Sequence, residues 1–533
     1  MSEVNQSTVQ KSASEQVSSE HNVDTADYLN IDSQQSRILL ASILIVALCG
    51  IAYELIISTV SSYLLGNSVY QFSLTIGTFM FAMGIGSYLS KLLGKNLLHN
   101  FVLIEIAIAL VGGACSMILF MTFPFANALY NFVMYSLILI IGALVGMEIP
   151  ILTTILSHRK STRDSIANVM SLDYIGALIG SVSFPLLLLP QLGLIRSSFA
   201  IGLANILTAL VNLYFFRHHL KHIKGLTIAS LAILAGLIVF IFAGTRLTSF
   251  AESHLYFDQV IYQKQTPYQK LTITRSNASR ELRLYIDGHI QFSSRDEYRY
   301  HEALVHPVMS IPGKKENVLV LGGGDGLAVR ELLKYDQVKS IDLVDIDPEI
   351  TRLGKEFPVI ATLNEKSLHD PRVSIFNEDA FLFINQPGKM YDRVIIDMPD
   401  PHNEAINKLY AREFYEMIKR RMADDAYLIS QSSSPYFTRK TFWGIEKTLA
   451  YVFDTTESFH VTVPSFGIWG FHMASNGNPF PKSYQFDVEP KWMSKQIMAA
   501  AVQFSSDTDR VEVPVNSIME PKLYHLYLED LGQ

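Results

Sequence analysis

The sequence predicts a multi-pass α-helical membrane domain, followed by a small β-domain and an α/β domain with a doubly wound parallel sheet. Three observations lead to this fold class. Apolar residues are concentrated between Ile38 and Gly244, in seven runs that are each long enough to cross about 30 Å of hydrocarbon as a helix. From Leu255 the pattern changes to short strands of alternating polarity. After Pro312 apolar strands alternate with helices, which is the pattern of a parallel sheet.

A polar segment, residues 1–36, precedes the apolar runs and is rich in Ser, Gln, Asn and Glu. We predict that it is a disordered tail, and it lacks the basic and apolar regions of a signal peptide. Residues 37–250 are predicted to form the transmembrane domain. Its predicted helices lie near 38–64, 72–93, 101–123, 128–156, 168–190, 194–215 and 226–244.

Basic residues between the predicted helices indicate the orientation of the chain. They follow helices 2, 4 and 6 and are Lys91, Lys95, Arg159, Lys160, Arg163, Arg217, Lys221 and Lys224. The positive-inside rule then places the N-terminus in the cytoplasm and, after seven crossings, the soluble domains outside. One re-entrant or missed segment would reverse their side. The sequence therefore predicts a multi-pass protein of the cell (inner) membrane and leaves the side of the soluble domains open.

Four carboxylates lie within the apolar runs, at Glu54, Glu105, Glu148 and Asp173. An ionisable group in hydrocarbon costs a few kcal/mol, so such groups usually face a cavity or a partner. One interpretation is that each acid is protonated or locally hydrogen-bonded in the helix packing. A second is that at least two of them converge on a polar cavity that admits a cation. A third is that some lie at helix ends, outside the hydrocarbon.

Composition and charge limit the partners of the chain. The net charge is −7 and no basic stripe is present to neutralise phosphates, so we expect no nucleic acid partner. With 49% hydrophobic and 17% charged residues the chain is too apolar for a soluble protein, so we expect a lipid bilayer as a partner. Both cysteines, Cys49 and Cys115, lie in apolar runs. Neither a disulfide framework nor a cysteine metal site is therefore available to the soluble domains.

Two soluble domains follow the apolar runs. Residues 251–311 are predicted to form the small β-domain, and Asp287-Gly288 suits a hairpin turn between two of its strands. Its predicted strands are Leu271–Ser276, Leu282–Ile286 and His289–Phe292. Residues 312–533 are predicted to form the α/β domain. Its strands are Val318–Leu321, Ile341–Val344, Val373–Phe376, Val394–Ile396 and Ala426–Ser430, closed by segments near 458–463 and 468–474.

Acidic residues follow successive strands of the predicted parallel sheet. They are Asp325, Asp345, Asp379 and Asp397. Nucleotides bind outside the carboxyl ends of such strands, where glycines allow close backbone approach, so this arrangement is Rossmann-like. The Gly-rich loop 322–326 has no Lys or Arg and carries an acid, which would repel a pyrophosphate. A cationic nucleoside fits this cleft better.

At these positions the sequence resembles the polyamine aminopropyltransferases, the spermidine synthase family. The resemblance covers about 255–475, and together with the preceding helices it looks like the membrane-fused bacterial branch, whose catalytic domain is of the SAM-methyltransferase type. The matching stretches are Tyr268-Gln269, 284–291, 295–302, 318–326, Asp345-Ile-Asp347, 370–373, Glu378-Asp379 and 391–397.

The resemblance implies a reaction and a role for each matching residue. The aminopropyl group of decarboxylated S-adenosylmethionine, a co-substrate, moves to putrescine or a similar diamine, giving spermidine and 5′-methylthioadenosine. Neither a prosthetic group nor a metal is implied. Asp397 would be the catalytic base at the attacking amine. The donor would be bound by Gln269, Asp325, Asp345 and Asp379. The acceptor would be bound by Gln291, Tyr300, His301 and Asp400.

Two departures from the family pattern affect the acceptor side. Met398 and Pro399 stand between two aspartates where the family usually has small hydroxyl residues, and Phe466 stands where it has a tyrosine. The identity of the amine therefore stays open. A metal site at His301 and His306 is conceivable from the residue types, but we expect pocket lining or packing there.

Two other functions are compatible with this fold class. A SAM-dependent methyltransferase has the same sheet, but its donor carries a carboxylate that would meet these acids unfavourably. A membrane polyamine sensor or transporter would use the soluble part as a nucleotide-binding module without turnover, and its membrane acids would line an amine cavity. We also expect the chain to form a homo-oligomer.

Overall fold

The computed structural model describes residues 31–65, 68–94, 96–157, 161–253 and 256–532. The chain divides into two compact units, Met1–Glu252 and Ser253–Gln533. Residues 1–30 of the predicted tail lie outside the described residues, as do Lys95, Arg159 and Lys160 of the topology argument. A helix begins at Ser33, so residues 33–36 are helical and do not belong to the predicted tail.

The first unit consists of long apolar helices. Those described are α1 (Ser33–Leu65), α2 (Ser68–Leu89), α3 (Leu97–Phe125), α4 (Tyr130–Ser157), α5 (Thr162–Ser183), α6 (Leu189–Phe215) and α7 (Ile223–Ser253). Glycines let their backbones approach closely. A Cβ atom on Gly146 of α4 would lie 2.1 Å from the carbonyl oxygen of Met83 on α2. One on Gly176 of α5 would lie 2.3 Å from that of Leu44 on α1.

Six helical stretches of the described chain are long and apolar enough to span a membrane, one fewer than the seven predicted runs. The difference lies in Thr162–Phe215, a stretch of 54 residues that covers two predicted runs. A straight helix of that length would measure about 80 Å. A π-helical segment at Phe184–Leu188 and a non-helical Gly193 with φ of 71° interrupt it. Pro185 and Pro190 lack the backbone N–H that a regular helix uses, which accounts for the interruption.

The two halves of this stretch run in opposite directions. Gly176 and Gly180 of α5 contact Leu44 and Leu48 of α1 in the same order, so α5 is parallel to α1. Residues that come later in α6 contact residues that come earlier in α1, so α6 is antiparallel to α1. Its hydrogen bonds to α1 include Cys49 Sγ to Ile201 O (3.8 Å), Asn212 Nδ2 to Ser42 Oγ (2.8 Å) and Gln35 Nε2 to Phe215 O (3.2 Å).

The second unit begins with a small antiparallel sheet. Its strands, in spatial order, are β1 (Gln259–Gln265), β2 (Lys270–Arg275), β3 (Leu282–Ile286) and β4 (His289–Ser293). Asp287 and Gly288 form the turn between β3 and β4 with the positive φ angles, 48° and 85°, that a two-residue hairpin turn requires. The predicted turn is present, and β1 is a strand that the sequence pattern did not predict.

A seven-stranded sheet forms the centre of the second unit, in the order β10-β11-β9-β8-β5-β6-β7. Strands β5 to β9 pair in parallel, whereas β10 and β11 add an antiparallel edge. The strands are β5 (Asn317–Gly322), β6 (Ser340–Val344), β7 (Val373–Phe376), β8 (Tyr391–Asp397), β9 (Met422–Gln431), β10 (Thr455–Val463) and β11 (Gly467–Ser475). Alternate residues of β5 enter two different cores, Val318 and Val320 one and Leu319 and Leu321 the other.

Helices cover both faces of this sheet. They are α8 (Glu297–Ser310), α9 (Leu327–Leu332), α10 (Pro348–Glu356), α11 (Pro358–Leu363), α12 (Ala380–Asn385), α13 (Glu404–Asn407), α14 (Arg412–Arg420), α15 (Arg439–Val452), α16 (Lys495–Ala501) and α17 (Lys522–Asp530). Leu304 and Val308 of α8 are buried in the same core as Val318 of β5. Helix α8 therefore belongs to the α/β core, although the predicted boundary at residue 311 assigns it to the small β-domain.

A buried arginine joins β8 to the end of α8. Arg393 is fully buried, and its guanidinium donates to the carbonyl oxygens of Val308 (3.0 Å), Ile311 (2.8 Å) and Asp392 (2.7 Å). It also lies over the ring of Tyr427, 5.2 Å from the centroid. A buried charge is costly unless its donors are satisfied, so these bonds hold β8 and α8 in one register.

Candidate active site

Three of the predicted site aspartates lie together at the carboxyl ends of neighbouring strands. Asp325 follows β5, Asp345 follows β6, and Asp397 is the last residue of β8. Because the order in the sheet is β8-β5-β6, the three residues are neighbours. Asp325 interacts electrostatically with both of the others. The structure therefore brings these acids together, as the strand pattern predicts.

Glycines set the spacing of these acids. Gly322 has φ of 81°, and a Cβ atom there would lie 2.0 Å from the carbonyl oxygen of Asp397. A Cβ atom on Gly324 would lie 2.6 Å from Oδ2 of Asp345. A side chain at either position would push the loop away from the neighbouring strand.

The predicted base, Asp397, is hydrogen-bonded to a tyrosine of α8. Tyr300 donates its hydroxyl to Oδ1 of Asp397 at 2.5 Å. Burial raises the pKa of Asp397, and the charge of His301 and the bond from Tyr300 oppose that rise. Among the described residues Oδ2 has no hydrogen-bond donor. One oxygen is thus held in place while the other is available to a substrate.

A buried chain of hydrogen bonds and ion pairs favours the protonated form of His301. Its Nδ1 lies 2.9 Å from Oε2 of Glu297, and the two oxygens of Glu297 accept from Arg330 at 2.9 Å each. Burial would lower the pKa of His301, but the bond and charge of Glu297 outweigh it, so the pKa is raised. Its ring meets the ring of Tyr300 edge-on, with centroids 5.0 Å apart. The protonated form of His301 would place positive charge near Asp397. Its contact with an acceptor stays a prediction.

Asp345 and Gln269 are linked through Asp347. The carboxylate of Asp345 accepts the backbone N–H groups of Gly324 (3.0 Å) and Asp347 (2.9 Å). Gln269 and Thr266, from the loop between β1 and β2, donate to Oδ2 of Asp347 at 3.1 Å and 2.8 Å. The loop between two strands of the small sheet therefore brings Gln269 to the carboxyl end of β6.

Two predicted site residues have partners elsewhere. Asp379 caps α12 through the N–H of Phe381 (2.8 Å) and forms an ion pair with Lys408 (2.6 Å). Gln291 lies half-buried on β4 and donates to the carbonyl oxygen of His289 at 3.2 Å. Their contacts with adenine and with the amine stay predictions.

Hydroxyl and amide donors surround Asp400. Its Oδ2 accepts from the hydroxyl of Ser433 at 3.1 Å, and its Oδ1 lies 3.5 Å from Nε2 of Gln431. Tyr527 of α17 forms a further side-chain hydrogen bond with it. Burial raises the pKa of Asp400 to about 6, and these three bonds oppose the rise.

The acids of the donor side are also shifted by burial. The pKa of Asp325 is raised to about 6 by burial, against the opposing charge of His301. Burial likewise raises the pKa of Asp345 to about 6, against two backbone hydrogen bonds. Each carboxylate is thus destabilised as long as nothing neutralises it, and a cation bound among them would reverse that effect.

Sequence reasoning missed several residues of this site. Asp347 belongs to the quoted Asp-Ile-Asp stretch, and Ser433 follows the fifth predicted strand. The strand-end rule that selected the aspartates could have found both. Tyr527 has no local signal, because α17 lies at the far end of the chain and meets Asp400 only through folding.

A second group of buried acids lies between α8 and α9. Ligand atoms of Glu302, His306 and Glu331 lie within 4.8 Å of one another, a spacing that could hold a metal ion. Glu302 accepts three backbone N–H groups. Glu331 pairs with Arg330 (2.9 Å) and Lys334 (2.6 Å). Backbone N–H groups and basic side chains already satisfy these carboxylates. We therefore interpret the cluster as a network of hydrogen bonds and ion pairs.

Known proteins resemble both units of the chain. Residues 297–483 match the spermine/spermidine synthase domain family. A polyamine aminopropyltransferase of Leptospira interrogans is 43% identical over 489 residues, which cover 92% of this chain and 97% of that protein. One of Oceanobacillus iheyensis is 40% identical over 500 residues, covering 93% and 97%. These alignments are longer than the second unit, so they extend into the apolar helices.

A solved spermidine synthase in complex with the transition-state analogue AdoDATO aligns with 51% of this chain and 88% of its own, with 23% identity and a TM-score of 0.43. A polyamine aminopropyltransferase of Streptomyces coelicolor is 39% identical over 503 residues, covering 92% of this chain and 94% of that protein. Sequence identity of this extent over nearly the whole length establishes the family. The chain is a transferase that belongs to the polyamine aminopropyltransferases.

Proposed function

We propose that the chain transfers the aminopropyl group of decarboxylated S-adenosylmethionine to putrescine, giving spermidine and 5′-methylthioadenosine. The main support is the group formed by Asp325, Asp345 and Asp397 at the ends of β5, β6 and β8. Among the described residues none of the three is paired with a Lys or Arg, so the site is suited to a cationic ligand. Both substrates of this reaction are cations.

The donor would lie across the ends of β5, β6 and β7. Asp345 would accept the ribose hydroxyls, and Asp325 with Gln269 would hold the aminopropyl end. Asp379 would accept the adenine amino group. Its ion pair with Lys408 leaves room for this, because a carboxylate can accept about four hydrogen bonds.

The reaction is a displacement at the carbon next to the sulfonium. The amine nitrogen forms a bond to that carbon, the carbon–sulfur bond breaks, and the sulfur leaves as a neutral thioether. The proton released by the attacking amine would pass to Oδ2 of Asp397, while Tyr300 holds Oδ1. Alignment of amine, carbon and sulfur supplies most of the rate.

The acceptor would extend from Asp397 toward Asp400. Phe466 packs edge-on against Tyr300, with centroids 5.8 Å apart, and gives this region an apolar wall. Asp400 lies among the donors Ser433, Gln431 and Tyr527 and would bind the distal ammonium. An apolar wall between two acids matches a diamine, which has methylenes between two ammonium groups.

The two other candidate functions have less support. A methyl donor would bring its carboxylate to the acids at Asp325 and Asp397, and two like charges there repel. A sensor without turnover needs no base, whereas the site has a carboxylate held by Tyr300 with one free oxygen.

We further propose that the helices of the first unit cross the cell membrane. Six stretches have the required length and hydropathy, and the reversal within Thr162–Phe215 would make seven crossings. Protease accessibility of a C-terminal tag in spheroplasts tests the side of the last residue. A homo-oligomer stays a prediction.

The product of the purified full-length protein tests the reaction. Incubation with putrescine and the decarboxylated donor should give spermidine and 5′-methylthioadenosine in equal amounts, measured by mass spectrometry. Methylated product from S-adenosylmethionine would favour the methyltransferase. Donor binding without product from any diamine would favour the sensor.

The rate should depend on pH through the raised pKa values. Asp325, Asp345 and Asp400 are neutral below a pH of about 6, and neutral acids no longer attract cationic substrates. We therefore expect kcat/KM to fall as the pH is lowered through about 6 and to reach a plateau above it. Initial rates between pH 5 and 8, in buffers of constant ionic strength, measure this. A profile that is flat down to pH 5 would contradict the assigned roles.

Tyr527→Phe should weaken binding of the acceptor. The substitution removes the hydroxyl bonded to Asp400, and a hydrogen bond to a charged group is worth about 1.5 kcal/mol or more. We expect KM for putrescine to rise about tenfold with KM for the donor unchanged. Tyr451→Phe, at an exposed position, is the matched control. Equal KM values for putrescine in both variants would show that Tyr527 is only structural.

A further inference from the structure

Two carboxylates of the first unit are buried and have no hydrogen-bond donor within the described part of the chain. Glu105 on α3 and Glu148 on α4 are 0% and 2% exposed. Among the described residues none of their four carboxylate oxygens has a partner. Asn205 on α6 is 0% exposed, and both its amide atoms also lack a partner there.

Contacts with α1 place Glu148 along the bundle. Helix α4 runs antiparallel to α1, because Ser61 donates to Sδ of Met134 at 2.9 Å while Gly50 faces Val145. Glu148 lies almost one turn beyond Val145, so it is level with the turn of α1 that precedes Gly50.

The same turn of α1 faces Asn205. Ile201 and Asn212 of α6 form hydrogen bonds with Cys49 and Ser42 of α1, respectively. Asn205 lies between these two contacts, one turn beyond Ile201. It is therefore level with the turn of α1 that precedes Cys49.

Contacts with α6 place Glu105 close to the level of Asn205. Helix α3 is antiparallel to α6, because Gly202 faces Ala109 and Gly113 faces the backbone of Ser198. Glu105 lies one turn before Ala109 on α3. Because the helices are antiparallel, it is level with the residue one turn after Gly202 on α6, and that residue is the chain neighbour of Asn205. Glu105, Glu148 and Asn205 thus lie at about the same level of the bundle.

Electrostatic contacts agree with this placement. Glu148 interacts with Glu105 and with Asp173 of α5. Glu54 is not part of this group, because it lies about 12 Å further along α1 than the turn that is level with Glu105 and Glu148. Two of the four predicted membrane acids therefore lie at the level of an amide that has no partner among the described residues, and Glu148 also interacts with a third, Asp173.

We propose that Glu105, Glu148 and Asn205 bind the ammonium group of an alkylamine. Unpartnered carboxylates in an apolar interior are destabilised by several kcal/mol, which a bound cation would offset. An ammonium group has three N–H donors for the two carboxylates and the amide oxygen. Ca²⁺ and Mg²⁺ require about six or more oxygen ligands, whereas these residues offer five, four from the carboxylates and one from the amide. That the amine is a polyamine rests on the proposed function, whose substrate and product are polyamines.

Carbodiimide labelling of the full-length wild-type protein in nanodiscs tests this site. The reagent modifies carboxyls in apolar surroundings, and peptide mass spectrometry locates the modified residue. We expect spermidine to slow labelling of Glu105 and Glu148 at least fivefold and to leave Glu54 unaffected. Labelling that spermidine does not slow, or that NaCl of equal ionic strength slows as much, would overturn the proposal.

Binding stoichiometry provides a second test. In equilibrium dialysis with radiolabelled spermidine, the variant Glu105→Gln, Glu148→Gln should bind one amine fewer per chain than the wild type. Glu54→Gln is the matched control and should bind as the wild type does. Equal stoichiometry in all three would overturn the site. Aminopropyl transfer is measured in the same preparations, so loss of the membrane site and failure of the proposed reaction are separate outcomes.

Discussion

Replacing Asp397 by Asn should reduce turnover at least about 100-fold, the usual effect of removing a general base. The amide cannot take the proton from the attacking amine, although it fills the same space and can still accept the bond from Tyr300. Donor binding should persist, because the proposed donor contacts lie at the ends of β5, β6 and β7 and on Gln269, away from β8. Initial rates at saturating donor and putrescine, together with donor affinity by calorimetry, measure the two effects.

Asp454→Asn is the matched control for this change, since Asp454 is exposed at the surface of the second unit. Its turnover should equal that of the wild type. Tyr300→Phe should reduce turnover by less than Asp397→Asn, because it leaves the base in place but frees its orientation. Near-normal turnover in Asp397→Asn would remove Asp397 from the mechanism.

Replacing Asp345 by Ala should weaken donor binding by about 1.5–3 kcal/mol, which is roughly 10- to 150-fold in Kd. The carboxylate has two roles that this change removes. It would accept the ribose hydroxyls, and it accepts the backbone N–H groups of Gly324 and Asp347 that shape the loop. Calorimetric titration with the decarboxylated donor measures the loss.

Asp345→Asn separates the two roles. The amide oxygen can still accept one backbone N–H group, so the loop should be preserved better than in the Ala variant, while the charge facing the ribose is lost. We expect an intermediate affinity for Asn. An unchanged affinity in the Ala variant would show that the carboxyl end of β6 does not bind the donor.

Much of the catalytic side could be predicted from local sequence because parallel strands impose a simple geometry. Side chains that follow β5, β6 and β8 must meet at one end of the sheet, so the positions of Asp325, Asp345 and Asp397 follow from the strand pattern alone. The turn at Asp287-Gly288 was predictable for a similar reason, because few residues accept its positive φ angles.

The remaining features depend on contacts between distant parts of the chain. Nothing near Tyr527 indicates that α17 would bring it to Asp400, more than 100 residues earlier. The split of Thr162–Phe215 into two opposed helices was visible as two apolar runs, but the π-helical form of the link between them was not predicted, although Pro185 and Pro190 mark its place. The convergence of Glu105 and Glu148 depends on the register of four helices, which spacing along one helix does not encode.

The hydrogen bonds of Arg393 have a consequence for how this enzyme could diverge during evolution. They fasten β8 to α8 at the opposite ends of these elements from Asp397 and Tyr300, so the alignment of base and tyrosine does not depend on the acceptor pocket. Substitutions at Met398 or Pro399 leave these bonds of Arg393 intact. A lineage could exchange one amine for another there while β8 and α8 keep their register, whereas a change at Arg393 itself would remove the donor of the Val308 and Ile311 carbonyl oxygens.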